Sequence, residues 1–265
     1  MINEISFPKL NLYFTVNRAA ISVNGFCIYW YGIIIALGLV LAILYGIHES
    51  KKINLKSDDF FNMLILCIPS AIICARLYYV IFSFDSYKNN LMDIFAIRNG
   101  GLAIYGGVIG AAAVIIIYCK RHKISIPKIL DMLSVGLLIG QAIGRWGNFV
   151  NGEAFGSFTN LPWAMTVKCD GILIAEMVHP TFLYESLWNA LGIAVLLIYK
   201  RHKKFDGELF CGYMIWYGIG RALIEGLRTD SLYIGTFRVS QLLSIALAVI
   251  GLMIIIIKKT KKTDS

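Results

Sequence analysis

The chain predicts an all-α, polytopic membrane fold of about seven spanning helices with a small extracytoplasmic arm. Composition, apolar run length and the placement of basic residues all point there. Of the 265 residues, 58% are hydrophobic and only 15% are charged, and the mean hydropathy is +0.69. Those values lie outside the range of ordinary water-soluble domains. A spanning helix needs roughly 20 apolar residues to cross about 30 Å of hydrocarbon, and the chain supplies such runs repeatedly.

Residues 1–25, with Phe7, Pro8, Tyr13 and Phe14, lack the basic start and apolar centre of a cleavable signal. They read as an interfacial segment on the outer surface. Residues 27–47 form a first span with no charged residue before its end, and residues 102–119 and 239–257 are equally clean. Residues 60–82, 177–199 and 209–227 are as long but each holds one or two ionisable side chains. Residues 129–144 give a shorter span near Asp131. Two long connections remain, residues 84–101 and 145–178. The second contains Pro162, several glycines and a run from Trp163 to Val167 suited to a short strand, and it is the expected arm.

The net charge of +9 comes from basic residues sorted by side. Lys51, Lys52, Lys56, Lys120, Arg121, Lys123, Lys128, Lys200, Arg201, Lys203, Lys204, Lys258, Lys259, Lys261 and Lys262 lie in alternate loops, fifteen in all, against eight in the opposite segments. Basic loops face the cytoplasm, so the N-terminus is expected outside and the C-terminus inside, which an odd number of spans satisfies. This distribution argues for topology and attraction to the lipid bilayer, and against a nucleic-acid partner. The six cysteines show no disulfide or metal spacing, and packing accounts for them.

Charges inside a bilayer pair, face a wet cavity or belong to a mechanism, so Arg76, Arg145, Glu185, Arg221 and Glu225 require explanation. Tyr217, Arg221, Glu225 and Arg228 recur at four, four and three residues, which aligns them on one helix face. A plain Arg221–Glu225 ion pair is the competing explanation of that stripe. The fourth span repeats Gly136, Gly140 and Gly144 and delivers Arg145 into GRWGNFVNGEAFG, residues 144–156. Glycines there let backbone approach a ligand, Arg145 offers a fork for phosphate oxygens, and Asn148 and Asn151 add neutral donors. An anion-binding loop is expected, with a rigid capping turn as the alternative. In GGLAIYGG, residues 100–107, Tyr105 lies near the outer helix end, and Gly106 and Gly110 have the spacing of a packing face. In HPTFLYES, residues 179–186, Pro180 and Thr181 suit a helix start with Thr181 satisfying free amides, and Glu185 follows one turn into the membrane.

Together with WYG at residues 30–32 and YGIGRALIEGLRTD at residues 217–230, these motifs resemble the bacterial phosphatidylglycerol:prolipoprotein diacylglyceryl transferases over almost the whole chain. The resemblance implies transfer of the diacylglyceryl group from phosphatidylglycerol to the lipobox cysteine of a prolipoprotein, forming a thioether and releasing glycerol phosphate. It implies a multi-pass protein of the bacterial cytoplasmic membrane, with no metal or soluble cofactor. The family's important positions fall on Tyr31, Arg145, Asn148, Gly156, Tyr217 and Arg221, with Glu153 and Glu185 as supporting acids and Asn151 among the lipid-binding residues. Where many members carry a histidine in the GGL motif, this chain has Tyr105. Arg145 and Asn148 are expected to grip the head group, Arg221 to stabilise the leaving phosphate, and Tyr31 or Tyr105 to orient the thiol. A secondary transporter of an anionic solute is the rival reading, since intramembrane arginines and glycine-broken helices also line substrate pathways.

Overall fold

A computed structural model of the protein describes residues 2–23, 26–88, 90–96, 100–229 and 233–263; Asp230, which ends the last motif, and Arg98, one of the eight basic residues of the opposite segments, lie outside them. Seven α-helices occur among the described residues: α1 (Trp30–Lys52), α2 (Ser57–Phe82), α3 (Ile104–Arg121), α4 (Ile126–Asn151), α5 (Thr181–Tyr199), α6 (Glu208–Glu225) and α7 (Val239–Thr263). Six are long and apolar enough to cross a membrane on their own. The exception is α6, 18 residues with Glu208, Arg221 and Glu225 among them. The polar stripe that marks it in the sequence is what lowers its hydropathy. The protein is thus a polytopic, mainly helical membrane protein.

The chain divides into two compact units, one of Met1–Gly46 with Leu130–Ser265 and one of Ile47–Ile129. In the first, Val135 and Leu138 of α4 meet Leu196 of α5 and Tyr213 and Met214 of α6 in a buried core, with Leu247 of α7 against it. Helix α1 crosses α4 where Gly38 meets Gly140, a Cβ on Gly38 lying 3.5 Å from the Gly140 backbone. In the second unit α3 lies directly on α2: a Cβ on Gly106 would stand 2.3 Å from the Cys74 carbonyl, and one on Gly110 2.7 Å from Cys74 Cβ. Packing is therefore the role of those two glycines, as small residues that admit a neighbouring backbone.

The extracytoplasmic expectation needs correcting at the N-terminus. Residues read as an interfacial segment form strands β1 (Ile2–Phe7), β2 (Leu12–Asn17) and β3 (Ala19–Val23), followed by β4 (Phe26–Tyr29). Strand β4 takes the first residues assigned to span one, and the helix begins only at Trp30. The expected strand in the arm is β5 (Met165–Cys169), joined to β6 (Ile172–Val178) by Asp170 and Gly171, both at positive φ. That backbone is the one a two-residue hairpin turn demands. The antiparallel sheet runs β2-β1-β5-β6, with Asn3 opposite Cys169 and Ser6 opposite Thr166. Alternate residues of β1 point inward. Ile5 and Phe7 pack on Met165, Val167, Ala175, Val178 and Phe182, and buried Asn3 donates to the Val150 carbonyl in the last turn of α4 at 2.7 Å. Two further short strands, β7 (Tyr233–Ile234) and β8 (Phe237–Arg238), precede α7.

Candidate active site

The site is assembled by three helices of the first unit, and interlocking tryptophans set their spacing. Trp188 of α5 and Trp216 of α6 stack with centroids 4.6 Å apart, and each indole N–H donates to the other residue's carbonyl at 3.0 Å. Each ring fills a notch left by a glycine on the facing helix: a Cβ on Gly220 would lie 2.1 Å from Trp188 Nε1, and one on Gly192 2.4 Å from Trp216 Nε1. This lock brings Glu185, one turn before Trp188, against Arg221, the residue after Gly220. On the other side, Trp146 of α4 donates to Ser186 Oγ at 3.1 Å, and Ser186 donates to the Ala142 carbonyl at 2.9 Å. Arg145 is thereby held beside Glu185.

Three arginines converge on that carboxylate, which is only 5% exposed. Arg221 Nη1 lies 2.8 Å from Glu185 Oε1, Arg228 Nη1 lies 3.6 Å from the same oxygen, and Arg145 Nη2 is in ion-pair contact with Oε2. Arg221 Nη2 also reaches Glu225 Oε2 at 2.6 Å, so the ion pair read from the helix stripe exists but is one edge of a larger cluster. Its named members, three guanidiniums and two carboxylates, carry one net positive charge. A buried carboxylate would be costly without such partners, and a guanidinium has five N–H donors. The contacts above engage two nitrogens of Arg221 and leave its planar fork held at a fixed angle.

GRWGNFVNGEAFG is not the loop expected. Helix α4 continues through Asn151, so Arg145, Asn148 and Asn151 sit on its last two turns and the arm begins at Gly152. The physical reason is close packing: a Cβ on Gly147 would lie 2.7 Å from the ring of Tyr31, and one on Gly144 3.2 Å from Ile35, so these glycines admit α1 and do not break α4. Tyr31, in the first turn of α1, therefore lies against the turn that carries Asn148. Asn148 Oδ1 accepts from Arg145 Nη1 at 3.3 Å, while Glu153 Oε1 accepts from Asn148 Nδ2 and Asn151 Nδ2, both at 3.1 Å. Glu153 thus orients both amides. Arg18 Nη2 caps the helix by donating to the Asn151 carbonyl at 2.8 Å.

Gly156 serves the backbone. Its N–H donates to the His179 carbonyl at 2.9 Å, it bridges Arg228 in antiparallel fashion, and a Cβ there would lie 2.7 Å from His179 Cβ. Thr181 does not cap α5 as expected: its hydroxyl donates to the Ala154 carbonyl, and Pro180 at the N-cap has no side-chain bond to give. Tyr217, one turn from Arg221, stacks on Tyr213 at 5.8 Å, and Tyr213 accepts from Gln141 at 2.9 Å. Tyr105 belongs to the second unit, where its ring lies 6.3 Å from that of Tyr78. Arg228 lies on the helix stripe of Tyr217, Arg221 and Glu225 and joins the site in addition to the residues expected from the sequence. Its spacing from Arg221 and Glu225 was the available signal.

Helix ends that gather three arginines and two carboxylates into one buried cluster define a polytopic membrane protein with a charged site among its helices. The chain belongs to the prolipoprotein diacylglyceryl transferase family, whose model matches residues 18–257. It is similar to proteins named phosphatidylglycerol–prolipoprotein diacylglyceryl transferase from several bacteria. That of Finegoldia magna is 49% identical over 90% of this chain and 94% of its own. The Clostridioides difficile protein is 46% identical over 94% and 98%, and the Listeria monocytogenes protein 48% over 93% and 91%.

Proposed function

We propose that this transferase moves the diacylglyceryl group of phosphatidylglycerol onto the lipobox cysteine of a prolipoprotein, the first step of lipoprotein maturation. The observation that carries the reading at the level of residues is the gathering of Arg145, Arg221 and Arg228 on the single buried carboxylate of Glu185. Glu185 and Glu225 hold the guanidiniums in place before any ligand arrives, so no reorganisation is needed when phosphate enters. Arg145 and Asn148 grip the head group, with Asn151 and Glu153 fixing the orientation of Asn148. The cysteine thiol gives up its proton, the sulfur bonds to the glyceryl carbon as the carbon–oxygen bond to phosphate breaks, and the electron pair leaves on glycerol phosphate, which can carry that proton away.

Arg221, with Arg228 beside it, stabilises the charge that grows on that leaving group. A free thiol has a pKa of about 8.5, and a cationic surrounding favours its thiolate. Tyr31, packed on Gly147 beside Asn148, is suited to orient the thiol, and Tyr105 is the second candidate for that task. We further propose that α6 spans the bilayer with the other six helices, its charged face turned to its partners. The N-terminus then lies outside a bacterial cytoplasmic membrane and the C-terminus inside, in accord with the basic loops. Incubating the purified protein with phosphatidylglycerol and a lipobox peptide should add a diacylglyceryl mass to the cysteine, read by mass spectrometry. Peptide mass unchanged across lipid compositions and detergents would contradict the proposal.

A further inference from the structure

Arg76 is the intramembrane charge that the arginine cluster does not absorb. It lies near the outer end of α2, is 5% exposed, and spends its donors on backbone. Nε donates to the Ile94 carbonyl at 2.8 Å, Nη2 to Asp93 at 2.6 Å, and Nη1 to Gly100 at 2.7 Å and Gly101 at 3.0 Å. Its guanidinium carbon stands 5.2 Å from the centre of the Tyr87 ring. Four carbonyls converging on one cation fix the backbone that supplies them. The planar fork makes this possible, whereas the compact ammonium of lysine has three donors on a flexible stem.

The glycines of GGL answer to the same group. Gly100 and Gly101 have φ of 86° and 76°, the left-handed region that a side chain disfavours, and a Cβ on Gly101 would lie 2.4 Å from Arg76 Nη1. Directly after it, Ala103 N–H donates to the Ala75 carbonyl at 3.1 Å, and Gly106 seats on Cys74 and Tyr78. Tyr105 is thus bracketed by contacts at 101, 103 and 106, all made to residues 74–78 of α2.

The geometry assigns Arg76 as a positioning residue that acts through the Gly100–Gly101 backbone to set the first turn of α3 and the aim of Tyr105. Its contribution to turnover rests on the transferase reading given above, with Tyr105 as a thiol-orienting group. A misplacement of about 1 Å can cost on the order of a hundredfold in rate. Arg76→Lys in the full-length purified protein should therefore lower kcat with the lipobox peptide by about tenfold or more, with KM for phosphatidylglycerol changed less than about twofold. Gly101→Ala, which keeps the arginine and crowds it, should give the same pattern and serves where Arg76→Lys folds poorly.

The decisive arm is a double-mutant cycle. In a Tyr105→Phe background, Arg76→Lys should cost less than about threefold further, because the group it aims is already gone. Losses that multiply, a harmless Tyr105→Phe, or full activity in both Arg76→Lys and Gly101→Ala would overturn the assignment. Amide exchange at Gly101 and Ala103 should speed up in Arg76→Lys relative to wild type, and unchanged protection would overturn it as well. If wild type fails to modify the peptide, the transferase reading fails instead, while exchange still tests the carbonyl cage.

Discussion

The two ends of the helices that carry the site are built from the same residue types and do different work. At one end, Arg145, Arg221 and Arg228 surround Glu185 and Glu225, named groups that sum to one positive charge. At the other, Asp131, Asp206 and Glu208 meet Lys203 and Lys259, named groups that sum to one negative charge. There backbone amides supply much of the donation. Asp131 accepts from Gly207 N–H at 2.8 Å and Phe210 N–H at 3.0 Å as well as from Lys203 at 3.0 Å. Glu208, 0% exposed, accepts from Tyr199 at 2.6 Å and Phe205 N–H at 3.3 Å, and pairs with Lys259 at 3.3 Å. Carboxylates at a helix start gain from its unsatisfied amides, so that end is closed. The arginine cluster has two carboxylates for three guanidiniums among its named members, and under the transferase reading that balance favours an incoming anion. Buried ion pairs alone do not mark a site; the sign of what is left over does.

That contrast can be broken most forcefully at the arginines. Arg145→Ala and Arg221→Ala should each reduce transfer per folded protein by roughly a hundredfold or more, the usual cost of one transition-state electrostatic contact, with some fall in melting temperature because each also takes a partner from buried Glu185. Peptide lipidation and thermal unfolding measured on the same preparations check both halves. Glu208→Leu should do the reverse. It takes the acceptor from the Tyr199 hydroxyl and the 204–205 amides, about 1–3 kcal/mol for a buried donor left unsatisfied, so the melting temperature should fall while surviving folded protein keeps its turnover.

A smaller effect is expected at Arg228, whose distance of 3.6 Å to Glu185 is the longest of the three. Arg228→Gln should cost about tenfold in kcat, measured against a KM for lipid that changes little. The smallest is a pH effect in the arm. Burial holds the His179 imidazole below its ordinary value, and its Nδ1 lies 3.1 Å from the Tyr184 hydroxyl, which accepts from Trp163 at 2.6 Å. A depressed pKa favours the neutral ring, so this joint is at full strength above about pH 6.5 and weakens as pH falls through the lowered value. Amide exchange near residues 157–163 should accelerate on acidification, and His179→Gln should flatten that dependence.

The helices were legible because a bilayer forces long apolar runs, and the Arg221–Glu225 contact because both residues share one helix face. The four-stranded sheet was not, since Asn3 pairs with Cys169 across most of the chain and no local pattern announces so distant a partner. The Asp170–Gly171 turn was an available hairpin signal. GRWGNFVNGEAFG misled for a specific reason: glycine serves both loops and close helix contacts, and only the ring of Tyr31 against Gly147 tells which. Convergence on Glu185 was also hidden, because it depends on Trp188 and Trp216 locking α5 to α6.

Retention of phosphatidylglycerol in nanodiscs tests the central claim most directly. Native mass spectrometry should find the lipid kept by wild type and by Asp131→Asn, and lost from Arg145→Ala/Arg221→Ala. Equal retention by all three, or equal loss from both variants, would contradict an anion site made by the surplus of arginine.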